Sequence, residues 1–416
     1  MTTQEFLRRH AIDTRPLRHI AYRRLFVGNA VSQFGYQLTA VAVPVQMYAL
    51  TRSSLWVGLI GVAALVPLVV FALWGGAVAD AVDRRKLLLA SSVLMWASTL
   101  GLLGQALLHI GHPGLLLALV AVQATAFAVG SPTRQAIIPR LVGTEELAAA
   151  NTLNSTVFNA AMVVGPLTAG LVLLHAGFAA AYAVDALAFT VVLWATVRLP
   201  ALPPANAIDG GRVAGWREVR AGLAYLATAP VLLLSFAIDI AAMVLALPRS
   251  LFPEAADERF GPGSIGWLYA AIGIGSVIAG LTSGWIGRVY RQGRALVISV
   301  IAWGLAVALA GLAGSLWLAV LLLAVGGAAD LISAVYRQTI LQNYAPDGFQ
   351  GRMQGIFIAV VAGGPRLGDL RAGAMAAMLG PTVAWVSGGV AAAVVAAVLA
   401  VTFPGLLRYA PLVKTR

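Results

Sequence analysis

The feature that most constrains this chain is a series of apolar runs, each long enough to cross a hydrocarbon core of ~30 Å as an α-helix. Composition agrees, because 60% of the residues are hydrophobic and 11% are charged, against about 25% charged in soluble domains. The pattern predicts an all-α integral membrane protein. Its twelve predicted spans are 25–49, 55–79, 87–109, 114–134, 148–174, 178–198, 225–247, 264–287, 294–313, 316–337, 352–379 and 381–404.

A polar stretch at 199–222 separates six predicted spans from the other six. It holds Pro200, Pro203 and Pro204, and residues 216–226 have the pattern of an amphipathic helix on the membrane surface. The predicted organisation is an N-terminal tail, a six-helix bundle, a central linker, a second six-helix bundle and a C-terminal tail, at 1–24, 25–198, 199–222, 223–405 and 406–416.

The net charge of +12 is distributed by side of the membrane. If the loops alternate, 23 of the 28 Lys and Arg residues lie on the side that holds both termini, and three lie on the other. The positive-inside rule then predicts that both termini are cytoplasmic. The excess of basic residues is therefore interpreted as orienting the spans in the membrane, and no nucleic-acid partner is expected.

Several kinds of chemistry are not expected from this sequence. It has no Cys, and its five His show no HxxxH spacing, so neither a disulfide nor a metal site is predicted. There is no GxxxxGK and no GxSxG motif, so neither ATP hydrolysis nor a serine nucleophile is predicted. We expect no cofactor and no enzymatic activity, and any transport would draw on an ion gradient.

The two halves carry weak internal similarity in the same order. Gly58 aligns with Gly266, and the same offset aligns Asp80 with Arg288. The RQAII segment at 134–138 matches RQTIL at 337–341. Such matches indicate duplicated six-helix bundles.

Four stretches carry a family resemblance: GGAVADAVDRRKLL, SPTRQAIIPRLVGTEELAAAN, GWLYAAIGIGSVIAGLTSG and LQNYAPDGFQGRMQGI, at 75–88, 131–151, 266–284 and 341–356. They resemble the major facilitator superfamily and, within it, the bacterial efflux branch that includes enterobactin-type siderophore exporters and macrolide efflux proteins. The resemblance implies two pseudo-symmetric six-helix bundles in the bacterial inner membrane.

The function implied by the resemblance is export of an amphipathic small molecule by alternating access, coupled to protons, by a monomer. A siderophore is the first expectation for the substrate, and a drug or macrolide is the alternative. Two alternatives come from other functional classes: a membrane sensor without transport activity and an intramembrane enzyme.

The same resemblance assigns a gating role to the loop between the second and third spans. Its expected members are Gly76, Asp80, Arg84 and Arg85, with Asp80 as the main cytoplasmic latch. Two positions depart from the family signature, because Ala81 stands where Arg is usual and Asp83 where Gly is usual. The alternative is a turn that only sets topology.

Charged residues inside predicted spans cost about 2.5–3.5 kcal/mol each at a helix centre, so they should face the bundle interior and have partners. Asp369, Asp239 and Asp330 are the candidates for proton coupling. A fixed ion pair between Arg366 and Asp369 is the alternative for Asp369. Asp185 is expected to anchor helix packing.

Polar residues spaced for one helix face are the candidates for a substrate cavity. They are Gln33, Gln37, Gln46, Gln123 and Asn159, joined by Arg366 and Arg371. Hydrogen bonding between helices is the alternative for each amide. A bend typical of exporters is expected at Gly165, Pro166 and Gly170, with a generic kink as the alternative.

Overall fold

The structure is a computed structural model of the full chain. It describes residues 13–81, 83–143, 145–202 and 216–409; within these ranges the side chains of 72–81, 216–219, 222, 347–352 and 355 are left aside. The structure is all-α, as the sequence predicts.

Six long helices precede the linker. Leu147–Val197 runs as one helical stretch, but Gly177 within it has φ 73° and ψ −173°, which divides it into two helices. A positive φ of this size is readily adopted only by glycine. The six helices are α1 (Ile20–Thr51), α2 (Ser54–Ala81), α3 (Arg84–Leu107), α4 (Pro113–Val142), α5 (147–176) and α6 (178–197).

Seven longer helices follow the linker in the described residues, besides two short ones at Phe252–Ala255 and Pro404–Arg408. The first, α7, is the amphipathic helix that the sequence predicts, and the other six correspond to the remaining predicted spans. They are α7 (Trp216–Thr228), α8 (Pro230–Ala246), α9 (Ile265–Leu281), α10 (Gln292–Leu312), α11 (Leu316–Tyr344), α12 (Asp347–Leu379) and α13 (Pro381–Thr402).

Several predicted boundaries differ from the structure. The fourth and tenth spans, predicted to end at 134 and 337, continue as helix to Val142 and Tyr344. Two further differences occur at the seventh and eighth spans. The seventh span, predicted to begin at 225, begins as α8 at Pro230, because Ala229 before it has the non-helical angles φ −113° and ψ 80°. Proline disfavours helical geometry in the residue that precedes it. The eighth, predicted to end at 287, leaves α-helical geometry at Leu281 and continues as a 3-10 helix over Ser283–Arg288.

Nine helical stretches in the described part of the chain contain an apolar window of 18 residues suited to a membrane. One of them covers both α5 and α6. The described residues of α1 and α12 fall below that apolarity. These two helices carry most of the polar candidates named above, which suits helices that face a protein interior.

The chain forms two compact units. Unit 1 contains the described residues up to Ala42, together with Pro67–Gly111 and the described residues from Ala118 to 202. Unit 2 contains Val43–Val66, His112–Leu117 and the described residues from 216 onward. The second part of α1 and the first part of α2 therefore group with the helices that follow the linker.

Small residues bring helices together in unit 1. A Cβ at Gly28 of α1 would lie 3.1 Å from Ala195 of α6, and one at Gly35 would lie 2.7 Å from Ala188. In a bilayer such close approach supplies the packing energy that the hydrophobic effect supplies in water. Near the start of α1, the buried Tyr22 donates a hydrogen bond of 3.0 Å to the carbonyl of Ala150 at the start of α5.

Unit 2 uses the same device between backbones. A Cβ at Gly275 of α9 would overlap the carbonyl of Ala324 in α11 and lie 2.8 Å from its Cα. Gly304 of α10 faces Gly389 of α13 in the same way, with 2.6 Å from its added Cβ to the Gly389 carbonyl. These helix pairs tolerate no side chain at the crossing point.

We expect Gly275→Ala to destabilise the protein by about 1–3 kcal/mol or more, because the added methyl meets backbone that cannot rotate away. Gly280→Ala, in the same helix, is the matched control. Its Cβ would make an ordinary contact of 3.6 Å with Leu331. Thermal unfolding of the purified variants in detergent measures both effects, and equal melting temperatures for the two would contradict the crossing-point argument.

Candidate functional site

A buried polar cluster joins four helices of unit 1. The carboxylate of Asp185 in α6 is fully buried and accepts hydrogen bonds from Thr39 of α1 at 2.5 Å and Thr99 of α3 at 3.5 Å. Gln123 of α4 donates to the Thr99 hydroxyl at 3.1 Å. The arrangement is a tie between helices, and it engages the amide of Gln123 that the sequence offers as a cavity candidate.

The other amide candidates of unit 1 differ in their surroundings. Gln37 donates to the carbonyl of Ala161 at 3.4 Å and to the sulfur of Met162 at 2.8 Å, both in α5. A Cβ at Gly165 would lie 2.8 Å from Cγ of Gln37, so this glycine permits the close packing of α5 on α1. Pro166 and Gly170 are buried in the same helix, whereas Asn159 is exposed.

Gln33 lines a small cavity in unit 1 between α1, α3, α4 and α6. Its volume is about 50 Å³. Arg134 of α4 forms part of the wall, and one of its Nη groups donates to the side-chain oxygen of Asn29. Its buried Nε has no hydrogen-bond partner in the described part of the chain.

The loop before α3 is held by its own charged residues. Asp83, one of the two departures from the family signature, caps α3 by accepting from the backbone N–H of Arg85 at 2.8 Å. Arg84 donates to the carbonyl of Ala136, and Arg85 donates at 2.6 Å to the carbonyl of Val197 at the end of α6. A cation there satisfies a carbonyl that the helix leaves unpaired.

The predicted latch residues Gly76 and Asp80 lie in the last part of α2. The contacts of these two residues lie outside what the structure describes.

Unit 2 buries a cluster of opposite charges. Asp239 of α8 and Arg337 of α11 form an ion pair at 2.7 Å, with 0% and 4% of their side chains exposed. The atoms meet at an angle outside that of a hydrogen bond, while Arg337 also donates to the hydroxyl of Ser333 at 3.1 Å. Asp330 lies one helical turn from Ser333, within electrostatic range of Arg337 and Arg249.

Asp369 of α12 continues this cluster. It lies within electrostatic range of Arg249 and Arg366 and close to the backbone of Ser250, while its buried Oδ1 has no hydrogen-bond partner among the described residues. Arg366 and Asp369, both described, form no ion pair. The guanidinium of Arg366 donates instead to the carbonyl of Ala362 on its own helix.

The first part of α2 packs on α12 at these charged positions. A Cβ at Gly58 would lie 2.5 Å from the Asp369 carbonyl, and one at Gly61 would lie 2.6 Å from the Arg366 carbonyl.

The last two cavity candidates also have defined surroundings. Arg371 of α12 donates at 3.1 Å to the carbonyl of Ala384 in α13, so its guanidinium joins these two helices. Gln46 is buried in the second part of α1, at 6% exposure.

An acidic segment in unit 2 clasps the turn between α1 and α2. Glu254, Asp257 and Glu258 contact Ser54, Arg52 and Tyr48, respectively, through their carboxylates. Arg259 of the same segment donates to the carbonyls of Gly311 and Ala313 at the end of α10, at 2.9 and 2.8 Å. We call these three carboxylate contacts the acidic clasp.

Sequence reasoning did not assign roles to Arg249 or to the acidic clasp. A signal was present, because three acids fall within five residues of a short connection. Their partners lie about 200 residues earlier, and no local pattern links the two segments.

A double-mutant cycle tests the buried pair. Arg337→Met alone should cost about 3–5 kcal/mol of stability, because it leaves Asp239 buried without a counter-charge. Asp239→Asn added to it should restore most of the loss, since both charges are then gone. Thermal unfolding in detergent, followed by tryptophan fluorescence, measures the cycle. Costs that simply add would show that the two groups are not coupled.

Comparison with known protein families and with curated relatives assigns the chain to a family. The family of transmembrane secretion effectors matches residues 12–408. The chain is 31% identical over 402 residues to the enterobactin exporter EntS of Escherichia coli O1:K1, covering 94% of both chains, and identical figures hold for EntS of Shigella boydii serotype 18.

Solved structures show the same fold at low sequence identity. The nucleoside transporter NupG superposes with a TM-score of 0.75 at 15% identity, covering 94% of this chain and 99% of its own. A D-xylose-proton symporter superposes with a TM-score of 0.71 at 13% identity, covering 92% and 97%. The fold is therefore the twelve-helix fold of these transporters. The chain is a multi-pass membrane transporter and not an enzyme, and it belongs to the transmembrane secretion effector family of the major facilitator superfamily.

Proposed function

We propose that this protein exports an amphipathic small molecule, a siderophore of the enterobactin type, from the cytoplasm in exchange for protons. The observation that carries the proposal is the likeness to enterobactin exporters along 94% of both chains. Drug or macrolide efflux is the competing outcome.

The proposal places the protein in the bacterial inner membrane as a monomer with both termini in the cytoplasm. The bias of Lys and Arg toward one set of loops supports this orientation. The proposal also includes a division into two bundles at 199–222. It includes a cytoplasmic latch at Asp80 and Gly76, which the family signature supports. In unit 1, Arg84 and Arg85 would then hold the loop that presents the latch.

The charge cluster of unit 2 supports proton coupling. Asp239 and Asp330 lie near Arg337, and Asp330 and Asp369 lie near Arg249, so neighbouring acids share an arginine. Asp369 is the first candidate, because its buried Oδ1 has no partner among the described residues and, unlike Asp239, it forms no ion pair there. An acid held by two fixed donors would have less freedom to exchange a proton.

Export requires the substrate path to open to the outside and close again. The acidic clasp is suited to hold the conformation in which that path is closed, because its three carboxylates bind partners in the α1–α2 turn. Exposed ion pairs such as Arg52 with Asp257 contribute only about 0–1 kcal/mol each. A clasp of that strength holds a conformation and still releases it.

The substrate is tested in the host. Deletion of the gene under iron starvation should lower secreted siderophore and raise the amount retained in the cell, and the gene on a plasmid should restore secretion. Drug susceptibility is measured on the same strains. Unchanged secretion together with new drug sensitivity would replace the siderophore proposal with drug efflux.

Coupling is tested in everted vesicles with an imposed pH gradient. We expect Asp369→Asn to lose at least ten-fold of gradient-driven uptake while exchange of substrate at equal pH continues, because the amide cannot carry a proton. Asp185→Asn is the matched control, since that buried carboxylate ties helices in unit 1. Full gradient dependence in Asp369→Asn would remove this residue from the coupling role.

A further inference from the structure

The small cavity of unit 1 holds a cation whose charge is not balanced. Arg134 donates to the neutral side chain of Asn29 and leaves its buried Nε without a partner in the described residues. No described carboxylate forms an ion pair with it. None of the residues that line the cavity is acidic. A guanidinium in so apolar a helix bundle is stabilised when an anion joins it.

Hydrogen-bond donors surround the same space. Ser92 and Ser131 line the cavity with hydroxyl-bearing side chains, and Gln33 adds an amide. In contrast, the hydroxyl of Ser32 already donates to the carbonyl of Asn29 at 3.0 Å. One charged donor and three neutral polar side chains therefore line the same small space, and hydrogen bonds from a charged donor are the strong ones for an anionic oxygen.

The remaining wall is aromatic and apolar. Tyr36, Phe127 and Phe189 line the cavity from α1, α4 and α6, and Met95 adds a thioether. Rings and a thioether pack well on the face or edge of another aromatic ring. Such a wall favours an anion carried on a ring over a fully hydrated ion such as phosphate.

The size limits what enters. A volume of about 50 Å³ corresponds to roughly four waters at about 10–15 Å³ each. That space accepts the acidic edge of one ring and excludes a large molecule as a whole. The cavity is therefore a subsite that takes one group of a larger ligand.

We propose that this cavity is a recognition subsite for an acidic aromatic group of the transported molecule, the chemical class of catecholates and hydroxybenzoates, with Arg134 as the charged donor. The inference rests on the proposed function in that the acid would belong to the exported compound. It assigns the recognition to unit 1, apart from the charge cluster of unit 2.

Binding to the full-length protein in nanodiscs, measured by isothermal titration calorimetry, tests the subsite. The probes are 2,3-dihydroxybenzoate, its neutral methyl ester and inorganic phosphate. We expect the acid to bind at least ten-fold more tightly than the ester, since only the acid places a negative charge at Arg134. Phosphate should not compete, because it gains nothing from the aromatic wall.

Two variants locate the site. Arg134→Gln should weaken binding of the acid at least ten-fold, and Ser92→Leu should abolish it by filling the cavity while the arginine stays in place. Arg140→Gln, on an exposed position of the same helix, is the matched control and should bind as the parent does. If Arg134→Gln does not fold, as melting temperature would show, Ser92→Leu still decides the matter.

Unchanged affinity in a folded Arg134→Gln or Ser92→Leu protein would overturn the proposal. Phosphate competing as well as the aromatic acid would also overturn it, leaving a general anion site. The result is independent of the secretion assay. If aromatic acid binds at Arg134 while siderophore secretion survives deletion of the gene, the subsite stands and the siderophore function falls. If deletion of the gene abolishes secretion and no probe binds, the siderophore function stands and the subsite is ruled out.

Discussion

The structure depends on how charges are accommodated in an environment that does not solvate them. A charge on an isolated membrane helix is costly, and the cost falls when a neighbouring helix supplies a counter-charge or hydrogen bonds. Each buried charge therefore acts as a constraint on which helices meet. Asp239 and Arg337 fix α8 against α11, and Asp185 fixes α6 against α1 and α3.

The two units meet this constraint differently. Unit 2 places acids and arginines close together, so their charges largely cancel within the protein. Unit 1 gives the Oδ2 atom of Asp185 two hydroxyl partners and leaves Arg134 facing a small cavity that no acidic residue lines. The first arrangement suits proton exchange among fixed groups, and the second suits recognition of an anion that arrives from outside the chain. The two units therefore differ in the way their buried polar residues are partnered.

The sequence was sufficient for the fold and insufficient for the pairing of side chains. Apolar length predicted all twelve long helices because crossing a bilayer imposes one length on every span. Boundaries shifted where a local rule prevailed, as at Ala229 before Pro230. The polar candidates were found because polar residues are rare in such helices. Which of them bond each other depends on helix crossings set by glycines such as Gly275, and periodicity within one helix carries no record of its neighbour.

The contact of Gly58 and Gly61 with α12 has a mechanical consequence. These glycines place the backbone of α2 directly against the carbonyls of Asp369 and Arg366, with no side chain between them. A shift of α2 by a single side-chain width would open a gap at these two carbonyls that water can fill. Because no side chain spans the contact, a small displacement of α2 is enough to hydrate the backbone of the helix that carries Asp369.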